Sequence, residues 1–370
     1  MSKAAELAAL IANVNKGSSL ANKNLVINGA MNIAQRGTSS TSEGYQTVDR
    51  FFFQANSEDN LAFTQAQSTD APTGFSNSYK IDCTTVESAL ASDELAYVAY
   101  KPEAQDCMIT LNGTANAKPL TLSFYVKSNK TGTYAVTLYK PDNTGRSIGK
   151  TYTISSANTW EYKSVTFEGD TSGGGLNDDN GEGIDIYFTL MAGSDFTSSD
   201  GTSWHNYANA QWAFGHNVNM FDNTANEWLL TGVQLEIGEK ATEFEHISPN
   251  VEIERCKRYY TRYNSTAPYQ RLGGSGFAQT TDDFGIFVKF SPEMRDVPTL
   301  DHGTLSKLQV DYRQTASAIG SLVIDGNTDG GHSVNLSGAD VTGDPLTAGD
   351  GVLLRANNDT DAYIAFDAEL

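Results

Sequence analysis

"LTLSFYVKSNKTGTYAVTLYKPDNTG", residues 120–145, decides how the chain is read. Its first seven residues alternate apolar and polar side chains, the period of a strand buried on one face. Residues 134–139 form a second run, and Pro141-Asp142-Asn143-Thr144-Gly145 carries turn chemistry: Pro presets φ, while Asp and Asn bond their own backbone. Outward from here the same grammar recurs. Residues 48–53, 79–83, 160–167, 184–190 and 228–235 read as short strands without intervening helices, the signature of a sandwich or jelly roll. After a short helix at 249–257, opened by Pro249 and with Glu252 and Glu254 in its first turns, strand signals resume at 258–263, 285–290, 308–312, 352–355 and 362–366. Residues 2–14 read as an N-terminal helix capped by Ser2, with Leu7, Leu10, Ile11 and Val14 on one stripe. A helix this short is marginal in water and needs a partner surface, so the stripe reads as a docking or trimerisation element.

The expected architecture is therefore all-β: two β-sandwich, jelly-roll-like domains with a short N-terminal helix and a short linking helix. The expected divisions are 1–23, 24–249 and 250–370. With 370 residues and 39% hydrophobic content, the chain can bury two real cores. No apolar run approaches the ~20 residues of a membrane-spanning helix, and residues 1–7 lack the basic-then-apolar pattern of a signal peptide. A formal charge of -20 argues against nucleic acid, whose phosphates need a basic field. Cys83, Cys107 and Cys256 show no CxxC spacing and read as reduced core thiols.

Signs of catalysis are lacking. Residues 145–151, GRSIGKT, miss the phosphate-loop spacing by one residue and read as a turn. No Gly-x-Ser-x-Gly elbow occurs, and no catalytic residue is assigned. Acidic residues number 45, so an acid pair of the glycosidase kind is not itself a signal. In the loop 173–183, Asp178, Asn180 and Glu182 match the start of a calcium loop, but Thr189 stands at the closing glutamate position. That loop reads as a solvated turn, with a structural calcium as the second reading and no other cofactor. Residues 204–217 mix aromatic rings, amides and imidazoles, a composition suited to a saccharide. Trp204, His205, Tyr207 and Asn209 are the candidate glycan ligands, while Trp212 and Phe214 read as core.

Three segments carry a resemblance. NLVINGAM (24–31), with IAQRGT (33–38) and TVDRF (47–51), resembles the opening of many bacteriophage tail-fibre and related virion proteins. TGVQLEIG (231–238) with ATEFE (241–245) resembles the closing strand of the same module, and CKRYY (256–260) continues it. More loosely, FSPEMR (290–295) and FDAEL (366–370) extend it to the C-terminus. The first and second segments are also similar to jelly-roll, carbohydrate-binding modules. The resemblance implies a non-enzymatic virion protein, commonly homotrimeric, made in the host cytoplasm and used in attachment to a host-surface glycan or receptor. It implies contacts with other virion proteins through the N-terminal segment. Residues 1–23 do not match the larger anchoring domain of podovirus fibres, which leaves tail fibre, head fibre and ligand-free capsid decoration open, with a polysaccharide depolymerase as the enzymatic alternative. Within the opening motif, Leu25 to Ile27 are expected to form the first strand and Asn28-Gly29 a turn. Gln35 and Arg36 are expected to satisfy backbone groups, or Arg36 to pair with Asp49.

Overall fold

A computed structural model describes Lys3 and residues 23–56, 61–87, 89–313, 315–326 and 330–370. The stripe Leu7, Leu10, Ile11 and Val14 lies outside the described residues. Two compact units share the chain. The first ends its N-terminal portion at Asn32 and takes in Thr41–Gly44 and Phe52–Ile247; the second is Ile33–Ser40, Tyr45–Phe51 and Ser248–Leu370. The sequence reading divides the chain at 249/250, and the long run of the first unit ends at Ile247. The discontinuity of the second unit, which borrows two pieces of the opening motif, has no counterpart in that reading.

In the first unit, one sheet carries in spatial order β3 (Ala62–Ser68), β4 (Ser78–Thr85), β12 (Glu227–Ile237), β6 (Leu120–Ser128) and β9 (Glu161–Phe167). The other carries β11 (His205–Asn206), β8 (Arg146–Ile154), β7 (Gly132–Lys140), β10 (Asp185–Ala192), β5 (Leu95–Tyr100) and β2 (Phe51–Asn56). The alternation in the opening stretch does what its period requires: Leu120, Leu122, Phe124 and Val126 are all buried. Phe124 meets Phe188 and Tyr152 of the facing sheet edge-on, at 5.1 and 5.0 Å between ring centroids. Trp228 of β12 packs against the same Phe188 at 6.0 Å, which closes an aromatic core of the kind that costs about 3–5 kcal/mol per ring to truncate. This is an antiparallel β-sandwich.

GRSIGKT is not a turn: Gly145 leads into β8, and Arg146–Thr151 are its first six residues, each paired with β7. Its glycines misled the reading. Gly149 is small because Trp212 O would lie 3.3 Å from a Cβ there, and Arg146 is buried in a two-pronged pair with Asp170 at 2.7 and 3.0 Å. Leu25 to Ile27 is likewise not a regular strand. The segment does run beside β12, but Asn24 intervenes: Leu25 N donates to Leu235 O at 2.9 Å, while Asn24 Oδ1 accepts from Leu235 N at 3.1 Å. Asn28 does turn, with φ at +60°.

The second unit contains β1 (Ser39–Ser40), the helix Pro249–Lys257 placed as its Pro and acids predict, and two sheets. One has the order β13 (Tyr260–Asn264), β22 (Tyr363–Asp367), β16 (Thr299–His302). The other has β18 (Thr315–Ala318), β17 (Leu308–Tyr312), β21 (Gly351–Ala356), β14 (Arg271–Ala278), β15 (Phe284–Lys289), β20 (Ser333–Ala339), β19 (Ser321–Ile324). Phe284, Ile286, Leu336, Leu354, Ile364 and Phe366 fill the core they share. The three cysteines are free and buried, as expected of core thiols.

The borrowed segment is held by charge as well as by packing. Arg36 stacks on the Tyr260 ring at 3.6 Å and pairs with Asp367 at 2.8 Å and Glu369 at 3.4 Å. Arg50, fully buried, stacks on Tyr259 at 3.4 Å and pairs with the same Glu369. Asp49 is taken by Gln35, through its backbone N at 2.8 Å and its Nε2 at 2.6 Å. Gln35 Nε2 also donates to Tyr260 O at 2.7 Å, so the expected backbone role holds for Gln35, while the hydrogen-bonded carboxylates of Arg36 are Asp367 and Glu369 rather than Asp49.

Candidate functional site

Thr121, Ser123 and Tyr125 alternate with the core residues on the opposite face of β6, where the first two are buried and Tyr125 is half-buried. The register sets Tyr125 directly opposite Tyr162 of β9. On its other side Tyr125 faces Thr231 of β12, where the ladder to β6 slips between Thr231 and Gln234. The slip is a bulge centred on Gly232, whose φ of +64° suits glycine. A Cβ on Gly232 would sit 2.8 Å from Phe75 Cζ and 3.1 Å from Tyr125 Cδ2, so the missing side chain is what admits both rings.

The wall opposite is built by the closing motif. Gln234 and Glu236 are buried polar residues on the outward face of β12, and each holds backbone of the returning chain. Glu236 accepts from Thr242 N at 2.8 Å and Thr242 Oγ1 at 2.7 Å, and Gln234 Oε1 accepts from Glu245 N at 2.9 Å. Asn24 N donates to Glu245 Oε2 at 3.1 Å, and Lys23 Nζ to Glu243 O at 2.6 Å, so the opening motif locks the same segment from behind. Gly29 completes the fit: a Cβ there would stand 2.1 Å from Val233 O. Buried polar side chains that satisfy main-chain groups fix a loop more tightly than apolar contact does, because any displacement strands a desolvated partner.

Held in this way, Phe244 and His246 close over Phe75. The ring centroids lie 5.1 Å apart for Phe75–Phe244, 5.3 Å for Phe75–His246 and 4.9 Å for Phe244–His246. Phe75 reaches Tyr125 at 5.5 Å, and Tyr125 reaches Tyr162 at 5.1 Å. The result is a groove of about 500 Å³ with an aromatic floor and wall, and with Thr73, Ser123 and the exposed Glu243 carboxylate at its polar points. Such a mixture of ring faces and a few oriented hydroxyl and carboxylate groups is chemically suited to hydroxyl-rich rings, whose apolar C–H faces can stack while their edges hydrogen-bond.

The residues singled out from composition lie elsewhere. Trp204, His205, Tyr207 and Asn209 run along the β11 edge of the other sheet. Trp204 Nε1 donates to Glu168 O at 2.6 Å, His205 Nε2 lies 3.1 Å from Ser147 Oγ, and Tyr207 OH donates to Asn209 Oδ1 at 2.5 Å. Tyr207 is half-exposed and meets Trp212 and Tyr139 edge-on at 5.5 and 5.4 Å. Trp212 is core as expected; Phe214 is 38% exposed and is not. In the acidic loop, Glu182 is paired with Lys101 at 2.6 Å, and Asp179, not Asp178 or Asn180, accepts from Gly181 N at 2.9 Å. Among the described residues, no three His, Cys, Asp or Glu side chains come together as a metal site.

Sequence reasoning missed Phe75, Tyr125, Tyr162, Phe244 and His246. The signal was present in part: Tyr125 and Tyr162 occupy the outward positions of alternating strands, and a glycine inside the apolar run of β12 marks a bulge.

No protein-family model and no curated protein sequence matches the chain. Distant likenesses occur among solved structures. The enzymatically active domain of tailspike protein 4 of bacteriophage CBA120 aligns at 12% identity and a TM-score of 0.34, over 58% of this chain and 22% of that one. The chain therefore spans about a fifth of the tailspike chain it aligns with. The family 11 carbohydrate-binding module of a Clostridium thermocellum cellulosomal cellulase aligns at 12% identity and 0.29, over 55% and 97%. A putative sugar-binding protein from Bacteroides thetaiotaomicron aligns at 14% identity and 0.31, over 58% and 100%.

Proposed function

We propose that the chain is a glycan-binding β-protein whose first unit takes a saccharide in the Phe75–Tyr125–Tyr162–Phe244 groove. The carrying observation is the groove's construction. The bulge at Gly232 and the buried anchors Gln234 and Glu236 spend conformational freedom to set five ring systems around one space. Glu243 is the acid among the lining residues, whereas glycoside cleavage takes two carboxylates across the bond, which favours binding over hydrolysis there. The resemblance of residues 24–51, 231–245 and 256–260 to virion proteins supports the wider reading: a homotrimer on a phage particle that attaches it to host-surface glycan. In that reading Leu7, Leu10, Ile11 and Val14 make the subunit or particle contact.

The test is a glycan array followed by calorimetry on the best hit, with Tyr125→Ala as the variant. A central stacking ring contributes about 2 kcal/mol at a hot spot, so affinity should fall about 30-fold with the melting temperature nearly unchanged. Unchanged affinity for the same glycan would move the site off this groove.

A further inference from the structure

The second unit carries a groove of its own, on the outward face of its larger sheet. It has a volume of about 470 Å³ and is lined by residues of β14, β17 and β21 with Arg313 beyond. The register sets Arg271 of β14 opposite Arg355 of β21, and Ser275 opposite Leu353. Arg271 and Arg355 share one carboxylate, Asp311, at 3.4 and 3.3 Å; Arg313 Nε holds Asp350 at 2.7 Å. Three guanidinium groups thus face two carboxylates, in a chain whose formal charge is -20. Three of the chain's ten arginines converge here, and two of them are presented rather than sequestered: the side chains of Arg271 and Arg313 are 67% and 62% exposed, against 23% for Arg355, 8% for Arg36 and 0% for Arg50.

The floor between them is low. Ser275, Gly276 and Gly351 line it, so a ring can approach the sheet closely. Beside it stand two exposed phenyl rings, Phe277 at 57% and Phe287 at 56%, the latter directly opposite Ser275 across the β14–β15 ladder. Exposed phenylalanines on a sheet face are costly unless something covers them. We propose that this groove is a second binding site, independent of the first, for a carboxylate-bearing saccharide such as a uronic-acid residue. The sugar ring lies over the Ser275–Gly351 floor against Phe277, and its carboxylate takes the guanidinium fork of Arg271, displacing the long contact to Asp311. A planar fork matches a carboxylate in a two-pronged contact that an ammonium group cannot make. The acidic remainder of the surface repels a polyanion, so the same charge balance that weakens binding elsewhere directs it to this face.

Calorimetry of the full chain with trigalacturonate, neutral galactotriose and sodium sulfate, each at low and high salt, tests the assignment. Trigalacturonate should bind more tightly than either other probe and weaken as salt rises. Arg271→Gln should weaken it about tenfold, and Arg271→Gln with Arg313→Gln should abolish it, consistent with the strength of charge-assisted hydrogen bonds. Tyr125→Ala should leave it unchanged. Trigalacturonate binding by the double variant at wild-type strength would overturn the proposal, as would its loss in Tyr125→Ala. Equal affinity for sulfate, or no trigalacturonate binding at low salt, would do the same. Since both arginines are exposed, an unchanged melting temperature separates lost binding from lost fold.

Discussion

Glu369 is one residue from the end of the chain, yet its removal should be among the costliest surface-proximal changes in the second unit. Its carboxylate is 5% exposed and serves two guanidinium groups: Arg50, at 0%, and Arg36, at 8%. Both arginines lie on the borrowed segment, and both are sandwiched against tyrosine rings that keep water away. Glu369→Ala therefore strips a desolvated charge pair of one partner, a change that costs about 3–5 kcal/mol when the pair is buried. Arg36 retains Asp367 at 2.8 Å. The stacking of Arg50 on Tyr259 persists and does not reduce the difference.

The control is Glu254→Ala. Glu254 pairs with Lys257 at 2.7 Å, a shorter distance than Arg36 to Glu369, but its side chain is 49% exposed and its partner's 34%. An exposed helix pair of this kind contributes about 0.5 kcal/mol or less. Urea unfolding read by hydrogen-exchange mass spectrometry on peptides of β15 and β20 reports the second unit directly. Glu369→Ala should lower its stability by several times the effect of Glu254→Ala. Adding Arg50→Met, which exchanges the buried guanidinium for an apolar chain of similar length, should recover much of it. If Glu369→Ala cost no more than the control, or if the double variant were no better than the single, the buried-charge account would fail.

Two further expectations test the first unit. Gly232→Ala places a side chain at φ +64° and 2.8 Å from Phe75, so it should cost about 1–2 kcal/mol and push Phe75 out of the groove. Glycan affinity should drop with it, and retained affinity in a folded variant would show that the bulge does not shape the site. His216 accepts from Ala135 N at 3.2 Å through Nδ1, its Nε2 faces Val218 O at 2.6 Å, and burial pushes its pKa down to about 4. A depressed imidazole pKa means that stability is fully present above pH 6.5 and is lost as pH falls from 6.5 through 4, by about 3 kcal/mol in all. His216→Gln keeps both hydrogen bonds without titrating. The stability gap between wild type and variant should therefore shrink or invert by that amount between pH 7.5 and 4 in urea titrations, and a pH-independent gap would refute it.

Much of the fold was legible because period-two alternation survives in single strands. Residues 120–126 and 134–139 extend by only a few residues in the structure, and the helix at 249–257 has the bounds its proline and acids mark. Glycine-rich strands were not legible: β8 and β14, RSIGKTYTI and RLGGSGFA, carry too few apolar side chains to show a period, and their glycines answer to close backbone approach instead. The groove was illegible for a different reason. Phe75, Tyr125, Tyr162 and Phe244 are brought together by register and by one bulge, and none is conspicuous alone. Trp204, His205 and Tyr207, adjacent in sequence and rich in ligand-like groups, direct those groups to neighbours at their own sheet edge.

The opening motif is divided between the two units. Asn24 and Gly29 belong to the first unit and brace the Gly232 bulge and the segment behind Phe244. Gln35, Arg36, Asp49 and Arg50, a few residues on, belong to the second and complete the polar layer over Tyr259, Tyr260 and the C-terminal carboxylates. A chain cut at Ser248 would leave the second unit without the two guanidinium groups that Glu369 and Asp367 neutralise. Two acids in one partly buried place, with their cations gone, repel each other and must either take up protons or draw in water. The motif is thus a shared structural part, half of it shaping a groove and half of it balancing charge, and that balance draws Ile33–Ser40 and Tyr45–Phe51 into the second unit.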